Sequence, residues 1–226
     1  MKEIRIAKSA GFCFGVSRSV EMAQELLRDG EAYSYGQLIH NDDVVSRLEK
    51  EGLHVISSAQ ELPQGSRVMI RAHGAPRAVY EALHGKDAEI TDATCPKVAR
   101  IHKIALDASR EGSFIIVIGT RDHPEVEAIC DRCGEHILCE NAEELRDHLN
   151  KRPEIRDKSI TMVVQTTQTR TNFNECANLL KKVCTKAKIF DTICGATSMR
   201  QQEAEKLSAI CDAMVVIGDN HSANSR

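Results

Sequence analysis

Short, nearly unbroken apolar runs punctuate this chain: "SRVMIRAHG", "SFIIVIG", "SITMVVQTT", "AKIFDTIC" and "AMVVIG". A strand needs hydrophobicity without alternation when helices cover both of its faces, so these runs read as buried parallel strands rather than exposed hairpins. Between and around them, Ser17–Leu27, Val98–Ser109, Asn172–Val183 and Ser198–Ile210 carry apolar residues at helical spacing. Connections of that length suit parallel crossovers. The fold class is therefore α/β, and 226 residues can bury a substantial core in one large domain or a few small lobes.

Three segments share one layout: "IRIAKSAGFCFGVSRSVEMAQ", "AEITDATCPKVARIHKIALD" and "AKIFDTICGATSMRQQEAEKL" each run strand, cysteine, helix. This puts Cys13, Cys95 and Cys194 at helix starts, where unpaired N–H groups and the helix dipole favour thiolate over thiol. Pro96 suits a first helical position, and Gly15 and Gly195 permit close backbone approach around the other two thiols. A second layout leads from a strand into a polar turn carrying His73, His123 or His221. In open α/β sheets the carboxyl ends of strands border the ligand crevice. The two layouts together predict three similar lobes presenting cysteines and polar loops to one centre.

Charge offers no partner. Thirty Lys and Arg against 33 Asp and Glu give a formal net charge of -3, which supplies no electrostatic case for nucleic acid or a membrane surface. The chain shows no signal-peptide pattern and no apolar run near the roughly 20 residues that span a bilayer, which predicts a soluble, cytoplasmic protein. In that compartment nine cysteines are more often ligands or reactive thiols than disulfides. Cys176, Cys184 and Cys211 lie on or beside apolar helix faces and read as small buried hydrophobes. Cys130, Cys133 and Cys139, with His136 between them, form a rival zinc cluster in "CDRCGEHILC", although the spacing is not a standard one. Cys13, Cys95 and Cys194 leave two readings open, separate structural thiols or one joint ligand set. Three thiolates would favour zinc or iron-sulfur, and a four-iron cluster so held would keep one iron without a protein ligand. No GxxxxGK[ST] phosphate loop is present.

Eight strings in order settle the comparison: "AGFCFGV", "GQLIHN", "RAHGAP", "DATCP", "GTRDHPE", "QTTQT", "DTIC" and "SAN". Together they resemble the LytB family, the 4-hydroxy-3-methylbut-2-enyl diphosphate reductases. The resemblance implies three similar α/β lobes with mostly parallel sheets around a central iron-sulfur cluster. It implies one [4Fe-4S] cluster per chain on Cys13, Cys95 and Cys194. It assigns substrate binding to His40, His73, His123, Thr166, Thr167, Ser222, Ala223 and Asn224, and catalysis to Glu125, Thr166 and His123. The implied reaction removes the substrate hydroxyl as water, with electrons from a reduced ferredoxin or flavodoxin. Isopentenyl and dimethylallyl diphosphate result, ending the non-mevalonate isoprenoid pathway. The lobes are expected at 14–94, at 95–193, and at 1–13 with 194–226, the N-terminal strand completing the last sheet.

One departure stands out. The sequence stops at "GDNHSANSR", where an α/β lobe should continue, so the third lobe is expected to be incomplete and the chain a fragment. Ala223 occupies a place where some relatives carry a second serine. Two other functional classes remain, a structural or regulatory zinc module and an inactive diphosphate-binding protein.

Overall fold

The computed structural model describes residues 3–219. Its strands form two sheets wound in the same way. The first holds β1 (Ala32–Tyr35), β2 (Leu53–Ile56), β3 (Arg67–Ile70) and β4 (Glu89–Asp92) in the order β2-β1-β3-β4. The second holds β5 (Phe114–Ile118), β6 (His136–Cys139), β7 (Ile160–Val164) and β8 (Ala187–Ile189) in the order β6-β5-β7-β8. Every neighbouring pair is parallel. In each sheet the chain starts at an inner strand, steps outward once, then crosses to build the other side. The carboxyl ends of the two inner strands are level, Tyr35 opposite Ile70 and Ile118 opposite Val164. The winding reverses between those ends, so the loops after them part and leave a crevice.

Helices cover the sheets. α1 (Phe14–Leu27) precedes β1, α2 (Asp42–Lys50) joins β1 to β2, α3 (Arg77–His84) joins β3 to β4, and α4 (Pro96–Arg110) crosses to the second sheet. There α5 (Pro124–Cys130), α6 (Ala142–Lys151) and α7 (Arg170–Val183) connect successive strands, and α8 (Gly195–Ser208) follows β8. All five residues of β5 are buried. Alternate side chains point to opposite faces. Phe114, Ile116 and Ile118 pack with Leu145, Leu149, Cys176 and Leu180, while Ile115 and Val117 pack with Ile101, Ala105, Val126 and Ile129. Two-sided burial is why this run reads as continuously apolar. Among the described residues, no helix is long and apolar enough to cross a membrane.

The central strands were legible, but β1, β2 and β6 were not. β1 is only "AYSY", and its buried Ser34 donates its hydroxyl to Gly36 O at 2.8 Å, which satisfies the polar group inside the sheet. Two expected strands do not form. "IRIAK" and "AMVVIG" have no ladder partner among the described residues, and Ile4, Ile6, Val215 and Ile217 are exposed. A strand is defined by its neighbour, and apolar composition cannot supply one. Instead the N-terminal segment lies against α8: Glu203 accepts from the N–H groups of Lys8 and Ser9, both at 2.7 Å, and Arg200 Nε donates to Ser9 O at 3.1 Å.

The histidine layout forms as strand, polar turn and helix, with His73 between β3 and α3 and His123 between β5 and α5, but at different places in the two sheets. His73 follows β3, the second inner strand of its sheet, whereas His123 follows β5, the first inner strand of the other. By winding, the counterpart of His123 is His40, and that of His73 is Thr166. His221 lies outside the described residues.

Two of the helices start on asparagine caps. Asn41 accepts from Val44 N at 3.0 Å, and Asn141 accepts from the N–H groups of Glu143 and Glu144. Asn41→Ala and Asn141→Ala should each lower the unfolding free energy by about 1 kcal/mol in chemical denaturation.

Candidate functional site

Cys13, Cys95 and Cys194 are the N-cap residues of α1, α4 and α8, and none uses its side chain as a capping acceptor. Two of them are held by backbone bonds that continue the sheet ladders beyond the strands. Cys95 N donates to Ala72 O at 2.9 Å, and Cys194 N donates to Thr166 O at 2.9 Å. Cys13 depends on the segment fixed to α8, where Arg200 Nη2 also donates to Gly11 O at 2.5 Å. The three thiols are half-buried. Burial pushes the Cys95 thiol up, the N–H groups of Lys97 and Val98 oppose that shift, and Cys13 and Cys194 add to it. The sulfurs are thus close enough to sense one another's charge. Such a set is electrostatically unsatisfied alone and suited to a cationic metal group.

Gly15 is what lets two sulfurs approach. A Cβ there would lie 2.7 Å from Cys95 Sγ and 3.9 Å from Cys13 Sγ.

Across the cavity stand three imidazoles. The ring centroids of His40 and His73 are 4.6 Å apart, those of His40 and His123 5.7 Å, and those of His73 and His123 5.4 Å. One ligand atom from each lies within 4.8 Å of the others, a spacing that a single metal ion could use. The hydrogen bonding of His123 argues for a different ligand. Its Nδ1 accepts from Glu125 N at 3.1 Å, so the neutral ring carries its proton on Nε2 and presents a donor there. A donor serves an anion; a metal ion needs a lone pair. Burial, then His40 and Arg71, pulls the His123 pKa down to about 4. Burial, then His40, His123 and Arg71, holds His73 well below the usual imidazole range. Without a ligand these two rings are neutral at physiological pH.

Glu125 is 2% exposed and sits at the start of α5, behind Pro124. Its carboxylate accepts from Thr166 N at 2.6 Å and from Thr166 Oγ1 at 2.7 Å. Burial raises its pKa, and the two bonds from Thr166 oppose that rise. The helix-start role and the site role coincide, since the same residue opens α5 and joins the end of β5 to the end of β7.

The cavity between these groups has a volume of about 390 Å³, within the range of small-ligand sites. It is lined by the three cysteines, the three histidines, Glu125, Thr166 and Thr167. Ser222, Ala223 and Asn224 lie outside the described residues. Sequence reasoning missed Gln165, whose Oε1 accepts from Thr120 N at 2.9 Å and so braces the loop before His123. It also missed Arg200 and Glu203. Nothing in their charge or spacing marked them as holding the chain before Cys13.

The rival zinc cluster is dispersed. Cys139 is buried with Cys176 and Cys184 on one face of the second sheet, while Cys130 and Cys133 pack against the core of the other face. Burial pushes the Cys130 thiol up to about 11 and that of Cys133 to about 12.

A family model described as LytB protein matches residues 4–226. The chain belongs to the LytB family. The 4-hydroxy-3-methylbut-2-enyl diphosphate reductase of Aquifex aeolicus is 37% identical over 234 residues, covering 100% of this chain and 78% of that protein. The corresponding reductase of Geobacter metallireducens is 38% identical over 225 residues, covering 99% of this chain and 78% of its own length. The solved E-1-hydroxy-2-methyl-but-2-enyl-4-diphosphate reductase of Plasmodium falciparum superposes with a TM-score of 0.88 at 30% identity, covering 95% of this chain and 68% of that one.

Gly15→Ala should weaken iron-sulfur incorporation about tenfold or more without removing a ligand, because Cys95 Sγ must shift to admit the methyl group. Iron and sulfide retained after anaerobic reconstitution and desalting would measure this, with circular dichroism confirming that the fold persists.

Proposed function

We propose that this LytB chain reductively dehydroxylates 4-hydroxy-3-methylbut-2-enyl diphosphate to isopentenyl and dimethylallyl diphosphate. Two electrons and two protons enter, the C–O bond breaks, one proton leaves with the hydroxyl as water, and the other reaches carbon. The observation that carries this reading is the single cavity bordered by three thiols, three imidazoles and a buried carboxyl-threonine pair. The names of the relatives supply the substrate.

Cys13, Cys95 and Cys194 would hold one [4Fe-4S] cluster, since all three are uncapped and open on one cavity. When bound, such a group supplies electrons and a Lewis-acidic iron without a protein ligand. His40, His73 and His123 offer N–H donors to the diphosphate. Ser222, Ala223 and Asn224 are assigned to the same substrate by their motif, and Thr167 by its place beside Thr166.

Glu125 and Thr166 manage the leaving proton. A carboxyl whose pKa is raised by burial keeps its proton at a higher pH than an ordinary glutamate, which suits an acid that must be loaded before hydroxide can depart as water. The Thr166 hydroxyl can reverse its bond. It donates to the carboxylate, and it accepts from the carboxylic acid while its own hydrogen turns toward the substrate alcohol.

Reduced ferredoxin or flavodoxin is the electron donor in this reading, and a cytoplasmic location fits the free thiols. Lobe divisions at 14–94 and 95–193 are supported by each sheet lying within one range, and 1–13 with 194–226 is assigned to a third lobe by the family resemblance alone.

Anaerobic reconstitution should load about three to four irons per chain, and serine at any of the three cysteines should lower that content. A chain that stays iron-free would overturn the reading. Glu125→Gln should leave cluster content and diphosphate affinity near the parent's while lowering turnover by about tenfold or more. His123→Ala should instead weaken diphosphate binding. Turnover of Glu125→Gln equal to the parent's, with excess reductant, would remove the acid role.

A further inference from the structure

Two of the family strings are only partly explained by the imidazoles they carry. "GQLIHN" begins with Gly36, the first residue after β1, and "RAHGAP" begins with Arg71, the first after β3. The structure brings these two residues together. A Cβ on Gly36 would lie 2.5 Å from Arg71 Nη1, 3.1 Å from Cζ and 3.4 Å from Cδ, so the guanidinium occupies the space that glycine leaves. Gly36 also has φ +72, which favours glycine on its own account. One arginine thereby links the loop of His40 to the loop of His73.

Its setting is costly. Arg71 Nε is buried with no hydrogen-bond partner among the described residues. Burial lowers its pKa, while Glu127 and the Tyr35 phenol act in the opposite direction. A guanidinium nevertheless remains charged in a protein. Arg77 meets Asp131 and Arg121 meets Glu144 in close ion pairs, whereas none of the ion pairs among the described residues includes Arg71. Its field reaches both His73 and His123, where it opposes protonation.

We propose that Arg71 is a further diphosphate-positioning residue, a fixed positive charge directly behind the loops that carry His40 and His73; of the cations that line the cavity itself, Lys97 and Arg200, the latter is committed to the carbonyls of Ser9 and Gly11. The inference rests on the diphosphate reading above and adds to it the source of the charge. Uncharged N–H donors orient a polyanion but do not balance it. A cation that cannot titrate can do so at any physiological pH, and it stands outside the cavity lining, where it does not compete with the chemistry. Gly36 is then the residue that gives this cation its place.

The test is calorimetric titration of inorganic diphosphate into the cluster-loaded parent, Arg71→Met and Arg71→Lys, between about pH 6 and 8. Arg71→Met keeps much of the length and removes the charge. It should bind about tenfold or more weakly across this range, because burial, the largest cause at His73 and His123, still holds both rings neutral when the arginine is gone. The groups facing those rings are His40, each other and Arg71, and those facing Arg71 from β1 and α5 are Tyr35 and Glu127. Arg71→Lys should recover most of the affinity. Equal binding by parent and Arg71→Met overturns this inference alone, as does a lysine variant as weak as the methionine one, which would show that shape and not charge matters. A parent that binds no diphosphate overturns the functional reading and this inference with it. Should Arg71→Met fail to fold, Arg71→Gln carries the same comparison.

Discussion

Both sheets continue their hydrogen-bond ladder past the last strand pair, and the site depends on that continuation. In the first sheet Cys95 N reaches Ala72 O, and in the second Cys194 N reaches Thr166 O. Each bond joins the turn that presents a thiol to a turn that lines the same cavity. The distance between each of these thiols and the facing turn is therefore set by backbone geometry. Long side chains, with their many rotamers, do not enter into it. Because inner strands end level with one another, the crevice at each reversal of winding faces the same cavity. Parallel winding thus places the site, and the two extra ladder bonds give it its dimensions.

Within that frame, burial is the dominant electrostatic influence. It is the largest cause of the shifts at His73, His123, Glu125, Cys95 and Arg71, and in each case it acts against the charged form. The imidazoles stay neutral, the carboxyl tends to keep its proton, and the thiol resists ionisation. Arg71 is the exception in consequence, since its shift does not discharge it. A site so arranged has little internal charge to lose when a polyanion and a metal cluster arrive together. The protein lines this cavity with donors and sulfurs, and Arg71 keeps its charge behind it.

How much of this could be read beforehand depends on whether local composition or a distant partner decides each feature. β5 and β7 were plain because all of their residues are buried on two faces. β1 was hidden because the buried residues of "AYSY" are only Ala32 and a serine whose hydroxyl is satisfied locally, while its two tyrosines are half-buried. The cysteine layout was legible because strand, thiol and helix are contiguous in sequence. The histidine layout was legible for the same reason, although His73 and His123, with similar flanks, follow a second inner strand and a first. Local flanks do not encode strand order. The pairing of Glu125 with Thr166 spans 41 residues, and that of Gly36 with Arg71 depends on loops from adjacent strands. Only the winding brings those partners together.

The three cysteines are alike in sequence but differ in how they are held. Cys95 and Cys194 hang from backbone bonds that extend buried ladders, so moving either requires opening a sheet end. Cys13 has no such ladder. The turn before it is tied to α8 by Glu203, which takes two N–H groups and the Ser9 hydroxyl, and by Arg200, which spans the carbonyls of Ser9 and Gly11. Those are side-chain bonds at a more exposed place, and α8 buries only Thr197 among its own residues. The position of Cys13 is therefore coupled to α8, whose first residue follows Cys194. Two of the three sulfurs thus share one helix as their support, while the third belongs to the junction between the sheets. Binding a group that bridges all three would join α8 and its attached segment to the two sheets, giving the least buried part of the fold a connection that its apolar packing does not provide.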